Sequence, residues 1–134
     1  MSDCIFCKII SGEIPSTTIY EDDEFKIILD RFPANKGHAL ILPKKHYANI
    51  FEMDEDTAAK LFALAVRTAK TIKIALKIKN MNILQNNGPL AGQTVNHFHL
   101  HLIPRYDNDN IDIKWSVIDL TDQDMEDMGN KLAL

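Results

Sequence analysis

With 134 residues, 46% of them hydrophobic and 25% charged, the chain has the size and balance of one domain with a real core. Fifteen lysines and arginines against nineteen aspartates and glutamates give a formal charge of -4, which argues against non-specific nucleic-acid binding, since that needs a basic face. The longest apolar runs, such as Ala39–Leu42, are far too short to span a bilayer, and Met1-Ser2-Asp3-Cys4 lacks the basic and apolar regions of a secretory signal. A cytoplasmic location is therefore expected, and there two cysteines are thiols or metal ligands before they are a disulfide.

Cys4 to Ser11 reads as a short helix with Ile5, Phe6, Ile9 and Ile10 apolar, ended by Gly12 and Pro15. Thr17–Tyr20 and Phe25–Leu29 are strand-like and joined by an acidic turn, so they form a hairpin. Asp30 to Gly37 is a loop. His38–Leu42 is a third strand, nearly all apolar and central in its sheet, stopped by Pro43. Asp54 caps a long helix running to about Lys79, with Ala58, Leu61, Phe62, Ala65, Ala69, Ile72 and Leu76 as its core stripe. Met81–Gln85 is a fourth strand, the loop Asn86–Thr94 follows, and Asn96–Arg105 is the fifth. One long helix, a short N-terminal helix and a mostly antiparallel five-stranded sheet make an α+β class. That organisation gives a body over residues 1–106 and a C-terminal extension over 107–134. In the extension Ile111–Leu120 is extended, and Thr121 to Ala133 is an amphipathic helix with Thr121 and Asp124 placed as a capping box.

The fifth strand carries the chemistry. His97, His99 and His101 alternate with Phe98, Leu100 and Leu102, which is strand periodicity, so the three imidazoles share one face. Neighbours in that row are roughly 6.5–7 Å apart. A lone strand histidine is ordinarily a satisfied polar residue; three in register each need partners of their own, and that points to a site. His97 and His101 would lie about 13 Å apart, too far for all three rings to reach one ion. Cys4-x-x-Cys7 is half of a tetrahedral zinc site, with a redox pair or two unrelated thiols as the alternatives. A division of labour follows, with an end histidine recruited by the cysteines and the other two left for other work.

The loop Asn86–Thr94 leads directly into this strand. Gly88 and Gly92 permit turns that aim backbone N–H groups inward, and Asn86, Gln93 and Thr94 are neutral donors. It has no Gly-Lys-[Ser/Thr] and precedes a strand, so it is not a Walker A loop. Beside a histidine row it reads as a phosphate cradle. A neutral imidazole attacks phosphorus near pH 7 and its phosphoramidate hydrolyses readily, so no catalytic metal is required.

The His-x-His-x-His pattern, Cys4-Ile5-Phe6-Cys7-Lys8-Ile9-Ile10 and Gly37-His38-Ala39-Leu40-Ile41-Leu42-Pro43-Lys44-Lys45-His46 resemble the histidine triad (HIT) family, most closely its bacterial Hint-type branch. The resemblance runs over about the first 105 residues. It implies a HIT-like fold and a structural zinc held by Cys4, Cys7, His46 and His97. It implies that His99 is the nucleophile that becomes nucleotidylated and that His101 binds the phosphate. Asn86, Gln93 and Thr94 then match phosphate contacts, and His38 matches a histidine near the site. Asp30 matches an acid on the ribose hydroxyls, and Ile5, Phe6, Ile9 and Ile28 match the walls of the base pocket. The implied reaction is hydrolysis of purine nucleoside 5′-phosphoramidates by a homodimer built on the long helix and neighbouring strands. The alternatives are a dinucleoside polyphosphate hydrolase of the Fhit kind, a nucleotide-binding scaffold, and a catalytic metal on the triad. Asn86 stands where the Fhit branch carries glutamine, whereas Gly92-Gln93-Thr94-Val95 and Pro104-Arg105 are shared with Fhit-like members.

Overall fold

Ala39–Pro43 (β3) is buried along its whole length, and the sheet is built outward from it. The structure is a computed structural model that describes residues 3–134, so Met1 and Ser2 of the N-terminal stretch lie outside the described residues. Thr18–Glu21 (β1) and Phe25–Leu29 (β2) form the expected hairpin, whose turn is closed by Asp22 accepting from the N–H groups of Glu24 and Phe25. β2 pairs antiparallel with β3, β3 with Leu100–Arg105 (β5), and β5 with Asn80–Leu84 (β4). The order is β1-β2-β3-β5-β4, five antiparallel strands with β4 at one edge. With the helices described next, this is the α+β architecture expected.

The pleat divides the core between two faces. On one, Phe25, Ile27, Ala39, Ile41, Leu100 and Leu102 pack against Leu61, Leu64, Ala65 and Ile72 of the long helix Glu55–Leu76 (α2). Ile41 and Leu102 are fully buried, each stabilising the fold by roughly 2–3 kcal/mol. On the other, Ile28, Leu40 and Leu42 are covered by Phe6 and Ile9 of the short helix Ile5–Ile10 (α1). His101 sits opposite Leu40 in the ladder, so the imidazoles share this second face.

α2 starts where expected. Asp54 accepts from the Thr57 N–H, and Glu55 and Asp56 in the first turn complement the helix dipole. It ends at Leu76 instead of about Lys79. Lys77 takes the left-handed conformation (φ 54°), and the chain turns so that Ile78 enters the core. The core stripe is also displaced. Phe62 is 53% exposed and Leu76 39%, while Leu64 and Thr68 are buried in their place, because the inward face is rotated about 50° from the expected stripe, half the angle between successive residues.

A second correction concerns the histidine strand. β5 begins at Leu100, so His97 and His99 precede it. The cause is local: the last ladder pair towards them is Ile41 with Leu100, and the Pro43 carbonyl is taken by the His97 ring instead of a strand. Phe98 donates its N–H to the carbonyl of Tyr47.

After β5 the chain is locked before it leaves the body. Arg105 grips Asp109 through two hydrogen bonds of 2.9 Å, reaches Asn82 at 2.7 Å and holds the carbonyl of Ile111 at 2.8 Å. Beyond Ile111 every residue is exposed. An irregular strap leads to the helix Asp122–Leu132 (α3), which has the expected reciprocal cap between Thr121 and Asp124. Among the described residues no helix is long and apolar enough to cross a membrane.

Candidate functional site

Two groups of side chains meet on the α1 face. The first begins at the N-terminus of α1, where Cys4 is the cap and its sulfur accepts from the Cys7 N–H, setting both sulfurs on one side. His46, from the loop after β3, and His97 complete the group. Cys4 Sγ lies 3.4 Å from His97 Nδ1, Cys7 Sγ 3.3 Å from His46 Nδ1 and 3.5 Å from His97 Nδ1, and the two nitrogens are 3.1 Å apart. All four ligand atoms fall within 4.8 Å of one another. Tetrahedral zinc, with bonds of about 2.0–2.3 Å, requires ligand separations of roughly 3.3–3.8 Å.

Chemistry supports the same fit. His97 is fully buried and its Nε2 must donate to the Pro43 carbonyl at 2.8 Å, so Nδ1 carries a lone pair aimed at the sulfurs. Burial lowers the His97 pKa to about 4, while burial and the adjoining Cys4 sulfur push the Cys7 thiol up to about 11. Two thiols and two imidazole nitrogens converging at one point suit a soft divalent cation, which would fix α1, the loop after β3 and the entry to β5 together. The donor set is closed, so such an ion would be structural.

The second group is His38, His99 and His101, and backbone groups determine where their protons sit. His99 Nδ1 is 2.7 Å from the carbonyl of His97, which can only accept, so Nδ1 carries the hydrogen and Nε2 the lone pair. The N–H of Ala34 donates to His38 Nδ1 at 3.0 Å, which leaves the hydrogen of neutral His38 on Nε2. That N–H faces His101 Nδ1 at 2.9 Å, so His101 carries its hydrogen on Nε2. Asp30 lies 3.5 Å from His38 Nε2 and accepts from the Phe32 N–H.

All three rings are held neutral by their surroundings. Burial is the main cause of the lowered pKa of His99 and of His38, with the Asp30 carboxylate opposing it in both. Burial followed by repulsion from His99 and His38 takes His101 to about 4. The His99 and His101 rings are 4.9 Å apart, and Phe6 stands edge-on to His99 at 4.9 Å. The adjoining rings thus carry a bare nitrogen on His99 and an N–H on His101, a combination that can serve as nucleophile and anion donor.

The glycine loop differs from expectation. Gly88 and Gly92 do take positive φ, 91° and 93°, but the N–H groups of Gly88, Ala91, Gly92 and Gln93 are bonded within the loop and do not aim inward. Gln93 is buried, and its amide donates to the carbonyls of Ala48 and Val95 and accepts from the Gly88 N–H. It braces the loop and leaves no amide donor for a phosphate. Asn86 has only a long contact of 3.5 Å to Gly92, and Thr94 is exposed; both retain donors. A cavity of about 470 Å³ opens between Cys4, Ile5, His46, Thr94, Val95 and Asn96. Of the expected base-pocket residues, Phe6, Ile9 and Ile28 are buried in the second core and Ile5 is exposed. The orienting groups that sequence reading missed are the N–H of Ala34 and the carbonyls of Pro43 and His97, which are backbone atoms and leave no signature in residue type.

Comparison with known proteins matches residues 11–108 to the HIT domain. The chain is 34% identical to an adenosine 5′-monophosphoramidase of Schizosaccharomyces pombe over 97% of its own length and 96% of the relative's. A crystal structure of a HIT family protein from Bacillus anthracis superposes with a TM-score of 0.92 at 40% identity, covering 98% of this chain and 95% of that one. A zinc-bound histidine triad protein from Mycobacterium smegmatis gives 0.78 at 37% identity over 86% and 84% of the two chains.

Proposed function

Because the chain belongs to the HIT family, we propose that it is a nucleotide hydrolase acting through a nucleotidyl-histidine, with purine nucleoside 5′-phosphoramidates as substrates. The observation that carries this reading is the pair of opposite tautomers, a lone pair on His99 Nε2 and a hydrogen on His101 Nε2, side by side on one face. The name of the yeast relative supports the choice of an AMP-amine bond.

In this mechanism His99 Nε2 forms a bond to the α-phosphorus while the phosphorus–nitrogen bond to the amine breaks. The amine leaves with the electron pair and takes a proton from solvent. The nucleotidylated ring carries a positive charge, which the His97 carbonyl stabilises through Nδ1–H. His101 donates to a non-bridging phosphate oxygen, assisted by Asn86 and Thr94. Water then attacks phosphorus, the bond to His99 breaks, and nucleoside monophosphate and a proton are released. A positioned donor of the His101 kind contributes on the order of 10²–10³-fold. Asp30 accepts from the ribose hydroxyls, and Ile5 with the Phe6 edge borders the base.

Zinc on Cys4, Cys7, His46 and His97 would hold the strand entry rigid and takes no part in these steps. Thiol ligands kept reduced suit the cytoplasm. The body over 1–106 and the extension over 107–134 are taken as separate units of organisation, with catalysis in the body. Exposed Phe62 and Val66 on α2 and Ile83 on the edge strand β4 support a homodimer across that face.

The test is incubation of the chain with AMP phosphoramidate, then trapping of adenylylated protein. Label on His99, with His99→Ala losing turnover but retaining AMP binding, is the expected result. Turnover by His99→Ala at the parent rate overturns the assignment.

A further inference from the structure

His99 stands outside the sheet. The last ladder pairs towards it are Ile41 with Leu100 and Leu84 with His101, so no cross-strand pairing fixes residues 97–99. The anchors of that segment are the loop after β3 and the cysteine cluster. The His97 ring donates to the Pro43 carbonyl, the Phe98 N–H donates to the Tyr47 carbonyl at 2.7 Å, and His97 Nδ1 faces both sulfurs.

His97 therefore works in two directions. Its ring belongs to the cluster, while its carbonyl takes the Nδ1 hydrogen of His99 at 2.7 Å and so leaves the lone pair on His99 Nε2. Phe6 makes a second link. It lies on α1 between Cys4 and Cys7, is 8% exposed, and sets its ring edge-on to His97 at 5.9 Å and to His99 at 4.9 Å.

We infer that the Cys4, Cys7, His46 and His97 cluster positions His99, so that occupancy of a site outside the reaction sets the tautomer and the aim of the nucleophile. The effect on turnover rests on the hydrolase reading; the effect on the ring does not. With an ion held, α1 is tied to the loop after β3, Phe6 stays against His99, and the His97 carbonyl stays on Nδ1. Without one, the four side chains are joined only by contacts of 3.1–3.5 Å, and thiols are weak hydrogen-bonding groups. An imidazole released from its carbonyl takes either tautomer, and the one with hydrogen on Nε2 cannot attack. Misplacement of a reacting group by about 1 Å alone costs on the order of 100-fold in rate. The cavity of about 470 Å³ beside Cys4 and His46 opens two of the four ligands to solvent, so metal exchange needs no unfolding.

The test compares the full-length chain zinc-loaded, stripped by a chelator, and cadmium-exchanged, with far-UV circular dichroism reporting the fold. Ring ¹⁵N shifts read the His99 tautomer, a signature that an ion with a merely structural role would leave unmoved. The Nδ1–H tautomer alone is expected with zinc, and a mixture of both in the stripped chain. On AMP phosphoramidate, stripping is expected to lower kcat about 10–100-fold with a smaller change in KM, and restored zinc to recover it. Cadmium, a larger ion on the same ligands, keeps the fold even where stripping does not; it is expected to displace the His99 shifts and lower kcat. A folded, stripped chain that keeps Nδ1–H and its kcat overturns the coupling. Where stripping unfolds the chain, identical His99 shifts and kcat in the zinc and cadmium forms overturn it. Absence of turnover in every form removes the hydrolase reading instead, and the tautomer comparison still decides the coupling.

Discussion

His38 donates from Nε2 to Nδ1 of His101 across 2.9 Å, and its own tautomer is imposed by the N–H of Ala34. In the proposed reaction His38 is thus a positioning residue, keeping the His101 hydrogen on Nε2, from which it would donate to the phosphate. Replacing it with alanine is expected to lower kcat about 10–100-fold with a smaller change in KM, as for other residues that orient a functional imidazole. Steady-state kinetics on AMP phosphoramidate separates the two parameters, and His38→Ala with KM raised and kcat unchanged would reduce His38 to a packing residue.

The parent profile has a definite sign. Attack by His99 needs the neutral ring, and burial lowers its pKa from the ordinary 6.5, so the reactive form persists below that value. His101, lowered to about 4, stays neutral over the same interval. The midpoint of the acid limb is therefore expected below 6.5, in contrast to a solvent-exposed histidine, which would already be half protonated there. A midpoint at or above 6.5 in kcat/KM would contradict the burial of the nucleophile.

Metal content gives an independent check on the other half of the site. One zinc per chain is expected by atomic absorption, falling to near zero in Cys4→Ser. The lost ion should cost several kcal/mol of stability, since α1 and the entry to β5 share no other covalent tie. Thermal unfolding with and without a chelator measures this. If metal-free protein unfolds at the same temperature as the loaded form, the cluster is only a hydrogen-bonded thiol and imidazole group.

What the sequence displayed well was side-chain spacing. The alternation of His97, His99 and His101, the Cys4–Cys7 interval, the Asp54 cap and the Thr121–Asp124 capping box are all relations between residue types a few positions apart. What it hid was decided by atoms every residue possesses. β5 starts at Leu100 because a carbonyl at Pro43 binds a ring, and the tautomers follow from backbone groups at Ala34 and His97. Gln93 looked like a free donor because nothing local announces that Ala48, forty-five positions away, supplies its acceptor. Phe62 fits the helical stripe on α2 by period alone; only the placement of the sheet shows that the face has rotated past it.

The Arg105–Asp109 pair governs the arm, and its loss should separate arm from body. Asp109 accepts from Arg105, from the Tyr106 N–H and from Asn35, and these bonds hold its carboxyl well below the usual carboxylate range. A depressed folded-state pKa means stabilisation that is complete above the ordinary 3.8 and lost as pH falls below it. Asp109→Ala is expected to lower Tm at neutral pH and to speed cleavage of the strap between Asp107 and Thr121 by a non-specific protease. Asp109→Asn should sit between the two, because the amide keeps some acceptors but not the charge-assisted fork. The gap between parent and Asp109→Ala should narrow below about pH 3.5, where the carboxylate protonates in the unfolded chain and the charge no longer distinguishes the proteins. Arg105→Lys should resemble Asp109→Ala more than the parent, since an ammonium cannot hold Asp109, Asn82 and the Ile111 carbonyl together. Equal protease resistance in parent and Asp109→Ala would mean that the departure angle of the arm is set elsewhere.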